Sequence, residues 1–137
     1  MLHLSETLNL PVFDSSEARI GRLEDLQIDT NRGVVDRILV RSRSGIGHVR
    51  WSSVDTFSPE NRRVTLLAGA AVLEGTGPEG EVLLLKRDVL DRQIIDIQGR
   101  KVVKVNDIML GPEGDDLVLK WVDVGIAGAV RRLLAGL

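Results

Sequence analysis

Four aspartates carry the spacing that most suggests chemistry. Asp14 and Asp25 stand eleven residues apart, and so do Asp96 and Asp107, with basic residues between them at matching positions. Two carboxylates at a fixed separation can divide acid and base roles or hold a cation. They can equally accept backbone N–H groups in turns and bulges, as aspartate commonly does. Occurrence in two places favours the second role, because a duplicated fold keeps structural devices more readily than duplicated active sites. Asp14, Asp25, Asp96 and Asp107 therefore read as marks of a structural repeat. No catalytic residue is expected, and the chain is not expected to be an enzyme.

Glu113, Asp115 and Asp116 surround Gly114 in an acidic turn and are the weak metal candidates. Mg²⁺ takes oxygen ligands but usually keeps its waters and uses only one or two carboxylates. The calcium-loop spacing is absent, so the turn is expected to be solvated. No cofactor is expected, and no ligand motif supports Mg²⁺. His3 and His48 are the only histidines, and pairing His48 with Ser52 or Ser53 would lack an orienting acid. The chain has no cysteine, which rules out disulfides and thiolate chemistry and fits a reducing compartment. Gly75, Gly77 and Gly80 match the glycine spacing of a dinucleotide loop, but Pro78 and the lack of a following helix make this a connector.

Arg37, Arg41, Arg43 and Arg50, with Arg62 and Arg63 nearby, could line one sheet face. An RNA surface would want aromatic stacking partners, and only Trp51 and Phe57 are at hand, so a solvated face is expected. The 18 basic and 20 acidic residues leave a net charge of −2. That balance lacks the basic excess of a nucleic-acid footprint.

The elements that must position these groups come in two sets. Residues 8–28 overlie residues 90–110 without a gap: Leu8 falls on Leu90, Asp14 on Asp96, Arg22 on Lys104, Asp25 on Asp107 and Ile28 on Leu110. Self-similarity of this kind governs the fold if it is real. Units of this size are marginal alone, so two of them should share an interface. Ser5 is a plausible N-cap for a helical turn over 6–10. Alternation predicts strands at 12–14, 19–29, 34–43, 47–51 and 63–67, with a bulge near Asp25 where the period slips. Residues 68–80 form a Gly-rich connector with a short strand near 70–73. Strands follow at 82–85, 93–97, 101–110 and 116–124, with a helical turn at 88–91 and a turn at 111–114. From 125 onward Ile126, Val130, Leu133, Leu134 and Leu137 recur at helical spacing, predicting an amphipathic helix whose apolar stripe makes contacts. No apolar run approaches the roughly 20 residues of a spanning helix.

The stretches 8–14, 20–26, 34–43 and 49–54 resemble the PRC-barrel family, the small β-barrel shared by the photosynthetic reaction-centre H subunit and the ribosome maturation factor RimM. Residues 86–96, 101–107 and 122–125 are similar to the tandem PRC-barrel region ahead of MgtE-like and CBS domains in bacterial magnesium-transporter-related proteins. The resemblance implies a mostly β protein: one barrel-like unit over 1–80 including the connector, and a second, incomplete unit over 81–137 ending in the helix. It also implies a piece of a longer protein. The implied function is a non-enzymatic interaction or regulatory module of a magnesium-transporter-like protein, mediating domain or subunit association. An RNA or ribosome-assembly adaptor like RimM is the alternative. The expected location is cytoplasmic, with the membrane reached only indirectly through a larger protein or partner. The expected partner is protein: neighbouring domains, or a second copy in a homodimer, because an incomplete barrel exposes a pairing edge.

Overall fold

The structure is a computed structural model that describes residues 1–77, 82–96, 101–126 and 129–134; the side chains at 96, 101, 126 and 129–134 are not described. It is mostly β, curled into a half-barrel. Two long hairpins form its spine. In the first, β3 (Arg19–Asp29) pairs antiparallel with β4 (Val34–Ser42), and Gly33 closes the turn at φ +68°. In the second, β11 (Lys101–Glu113) pairs with β12 (Asp116–Ile126). That turn is tighter than expected. β11 runs on through Gly111 and Pro112, and only Gly114 and Asp115 reverse the chain, Gly114 at φ +60°. The hairpins meet where Val118 faces Val34 and the Leu119 N–H donates to Gly33 O at 2.9 Å.

The first arm adds β2 (Pro11–Phe13) beside β3, then β7 (Arg63–Leu66) parallel to β2, then β6 (Val54–Ser58) outside β7. On its other side β5 (Gly45–Arg50) pairs with β4 and with β8 (Leu73–Glu74). A 3₁₀ turn over Trp51–Ser53 replaces the bend expected at Ser52–Ser53 and leads into β6, a strand the sequence did not announce. The second arm adds β10 (Gln93–Asp96) beside β11 and β13 (Ala129–Leu134) beside β12.

β13 corrects the expected C-terminal helix. Residues 129–134 pair in register with β12, from Trp121 opposite Leu134 to Ile126 opposite Ala129. A short apolar run fits either period. Here the unpaired N–H and C=O groups along β12 decide it, because a strand satisfies them and a helix does not. Among the interaction residues proposed from helical spacing, Val130, Leu133 and Leu134 lie in β13, Ile126 ends β12, and Leu137 lies outside the described residues.

The leading segments of the two arms change places. β1 (Leu2–His3) pairs not with the first arm but with β11, at Leu110 and Met109. β9 (Leu83–Leu84), which precedes the second arm, pairs with β3 at Gln27 and Ile28. Each is followed by a helical turn: α1 (Leu4–Thr7), and a wider π turn over Leu85–Val89. Each turn plugs the core with a fully buried leucine, Leu4 and Leu85. One apolar cluster takes in both, together with Leu23, Ile38 and Val64 of the first arm and Val105, Ile108 and Val124 of the second. The bulge expected near Asp25 falls at Glu24, where the register slips between Leu23 and Asp25. A matching slip occurs between Val105 and Asp107.

Candidate interaction site

The repeated aspartates hold backbone. Asp25, 3 % exposed, accepts the Leu26 N–H (2.8 Å) and the Lys86 N–H (2.7 Å) on Oδ1 and the Arg87 N–H (3.0 Å) on Oδ2. Asp107 accepts the Ile108 N–H (2.8 Å) and the Ser5 N–H (3.1 Å) on Oδ1, and the Ser5 hydroxyl (2.6 Å) on Oδ2. Each carboxylate therefore clasps the leading segment that arrives from the other arm. Ser5 is spent on that clasp: the cap position of α1 is His3, which makes no side-chain capping bond. The two carboxyls titrate in opposite directions. Burial lifts Asp25 above the ordinary aspartate value, against the pull of its three N–H donors. Burial also pushes Asp107 up, but the Ser5 hydroxyl, the Ile108 and Ser5 N–H groups and nearby His3 outweigh it and leave Asp107 lowered. Asp14 closes its own turn, accepting Ser16 N–H, Ser16 Oγ–H and Ala18 N–H, and those bonds, led by the Ser16 hydroxyl, lower it. The side chain of Asp96 is not among those described.

The acidic turn is spoken for. Glu113 accepts from Lys120 Nζ at 2.8 Å, Asp116 pairs with Arg32 at 3.3 Å, and the Asp115 carbonyl accepts the indole N–H of Trp51 at 2.9 Å. Among the described residues no three His, Asp or Glu side chains group as metal ligands. His48 is buried and bonded to Arg37 Nη1 at 3.0 Å. Arginine can only donate, so His48 Nδ1 accepts and its proton sits on Nε2. Burial and then Arg37 lower its pKa, which keeps it neutral near pH 7. Gly77, at φ +102°, lies against Gln27 and Arg37; a Cβ there would stand 2.9 Å from Gln27 Oε1 and 3.4 Å from the Arg37 side chain. The glycine of the connector is thus a packing device.

What these contacts build is a groove along the seam of the two arms. It encloses about 780 Å³. Trp51 and Phe57 form one wall, with ring centroids 5.4 Å apart and planes tilted by 59°. Arg50, Asp36 and Asp55 line it with the Arg32–Asp116 pair. The aromatic wall is anchored across the seam by the Trp51–Asp115 bond, a contact that spans 64 residues and has no local signal in the sequence.

A second concavity, about 900 Å³, lies on the first arm between Arg19, Arg22, Arg41 and Arg43. Arg22 stands directly across the β3–β4 ladder from Arg41. Like charges placed so oppose pairing. Glu24, the bulge residue, relieves this by accepting two bonds from Arg41 at 3.0 Å each and one from Lys86 at 3.3 Å. Those partners, Arg41 first, hold its carboxyl below the usual range despite partial burial. Of the arginines grouped in the sequence reading, Arg41 and Arg43 meet here, while Arg37 and Arg50 line the seam groove. Arg63 lies elsewhere, over the Phe13 ring at 4.4 Å.

No helix among the described residues is long and apolar enough to cross a membrane. No protein-family model matches the chain, and no curated protein matches it significantly.

Proposed function

We propose that the chain is a non-enzymatic interaction and regulatory module of PRC-barrel type. In this reading it joins neighbouring domains or subunits of a cytoplasmic, magnesium-transporter-like protein, or a second copy of itself. The seam groove carries the reading. It offers an aromatic wall and charges of both signs in one open concavity, the composition of a polypeptide-binding surface. The two carboxylates best placed for chemistry, Asp25 and Asp107, are instead engaged by local donors: three backbone N–H groups on Asp25, and two backbone N–H groups and the Ser5 hydroxyl on Asp107. The transporter setting rests on sequence resemblance alone.

The test is capture of partners by the tagged full chain from its own cells, compared with Asp55→Arg and Trp51→Ala. A partner retained by the parent and lost from Asp55→Arg, at unchanged thermal stability, is the expected result. Equal retention by both variants would remove the groove from the account.

One observation favours an RNA adaptor as a second reading: Arg19, Arg22 and Arg43 make no ion pair among the described residues. Such a surface suits a phosphate backbone and predicts binding that weakens steeply with salt. Single-stranded RNA should then shift in a low-salt gel, and less so with Arg22→Gln and Arg43→Gln. No shift at low salt retires this reading.

A further inference from the structure

The first arm gathers charge that the chain as a whole does not have. Arg19, Arg22, Arg41 and Arg43 line one open concavity of about 900 Å³, in a chain whose net charge is −2. Three of them stand on the paired strands β3 and β4, and Arg43 begins the turn that follows. Backbone register therefore fixes the cluster, with Arg22 directly opposite Arg41. Gly21 lines it too and adds no side chain to cover it. A Cβ there would stand 2.4 Å from the Arg41 carbonyl oxygen, so the close approach of the two backbones keeps that position bare.

Only one of the four charges is answered. Arg41 spends Nε and Nη2 on Glu24, at 3.0 Å each, and its Nη1 is left to donate elsewhere. Arg19, Arg22 and Arg43 make no ion pair among the described residues, and Glu24 is itself shared with Lys86 at 3.3 Å. Among the described residues neither a carboxylate nor an aromatic ring lines the concavity. The Ser42 and Ser44 hydroxyls, 2.9 Å from each other, add uncharged polar groups.

Like charges facing across a ladder oppose pairing, and a bound anion would offset what Glu24 leaves. Arginine suits phosphate, because its planar fork matches two phosphate oxygens at once and is weakly hydrated. We propose that the concavity binds a compact oligophosphate, a ligand of two or three linked phosphate groups recognised without a base. The same arginines underlie the RNA reading, and the lining decides between the two ligands. Single strands are held by bases stacked on aromatic rings along a basic track. Here no ring is present, and the arginines are confined to the open end of one hairpin. Linked phosphates need neither. The inference does not rest on the seam groove or on the module reading.

Tripolyphosphate, titrated calorimetrically into the metal-free full chain at physiological salt, is the test. Saturable one-to-one binding is expected. Arg22→Gln and Arg43→Gln, both at exposed positions, should each weaken it by about tenfold, while Asp55→Arg in the groove leaves it unchanged. Adenosine triphosphate should bind no more tightly than tripolyphosphate. No saturable heat at millimolar tripolyphosphate would overturn the proposal. So would an affinity that neither arginine variant moves, or a markedly tighter adenosine triphosphate, which would require a pocket for the base. Single-stranded RNA that binds through these arginines while tripolyphosphate does not would give the surface to RNA instead. A chain that fails to bind tripolyphosphate but retains its groove partner would overturn this proposal and leave the module reading standing.

Discussion

Asp25 and Asp107 make the same clasp on opposite arms. Each Oδ1 accepts its own following N–H at 2.8 Å and one N–H of a segment that has crossed from the other arm, Lys86 for Asp25 and Ser5 for Asp107. The second oxygens differ: Asp25 Oδ2 takes the fixed Arg87 N–H, and Asp107 Oδ2 takes the rotatable Ser5 hydroxyl.

That difference sets the cost of amide substitution. In Asp25→Asn the new NH₂ would confront the Arg87 N–H, donor against donor, and about 1–3 kcal/mol of stability should be lost. In Asp107→Asn the Ser5 hydroxyl can turn to accept, so the loss should be smaller. Urea unfolding of the two variants at neutral pH measures the gap; equal losses would show that the second oxygen does not matter.

The clasps should respond oppositely to acid. The lowered Asp107 contributes stability above its unfolded value near 3.8, and that contribution is lost as pH falls through its depressed native value. The raised Asp25 works in reverse: protonation binds the native state first, so its penalty shrinks as pH falls through the raised value toward 3.8. Asp107→Asn should therefore flatten the acid limb of the stability–pH curve, and Asp25→Asn should steepen it. Denaturant midpoints taken from pH 7 down to pH 3 check both signs.

Glu24 offsets the charge of two facing arginines, Arg22 and Arg41, by pairing with Arg41. Glu24→Gln removes the charge that offsets Arg22 opposite Arg41 and should cost about 1–2 kcal/mol. Adding Arg22→Gln should restore part of it, since the repulsion is then gone. A double-mutant cycle reads the coupling, and strict additivity would contradict the bridge.

Gly21 lines the arginine concavity of the first arm. A Cβ there would lie 2.4 Å from the Arg41 carbonyl oxygen, backbone that cannot swing aside. Gly21→Ala should shift the β3–β4 ladder and lower the thermal midpoint by several degrees, about 1–3 kcal/mol of overpacking. Calorimetry measures it, and an unchanged midpoint would mean the ladder yields freely.

The strands of both spines were legible because alternating apolar residues declare a half-buried sheet, and the slip at Glu24 declared its bulge. The roles of Asp14, Asp25 and Asp107 as backbone acceptors also follow from what aspartate does in turns. Partners were not legible. Nothing near Ser5 says that its hydroxyl serves Asp107, 102 residues on. The crossing of β1 and β9 depends on which edge of a distant strand is vacant. β6 escaped notice because Asp55 and Thr56 interrupt its apolar run. The 129–134 segment carried a helical period, and only the open flank of β12 selects a strand there. The acidic turn drew attention for its charge, but it supplies a carbonyl to Trp51 and carboxylates to Lys120 and Arg32.

Presentation of the groove depends on two arms locked by exchanged segments. Native-state hydrogen exchange of the full chain tests this most directly. The amides of Ser5, Lys86 and Arg87 should open only with the central amides of β3 and β11, at the free energy of global unfolding. If either leading segment exchanges by a separate, cheaper opening while the long strands stay protected, the arms are not interlocked and the account fails.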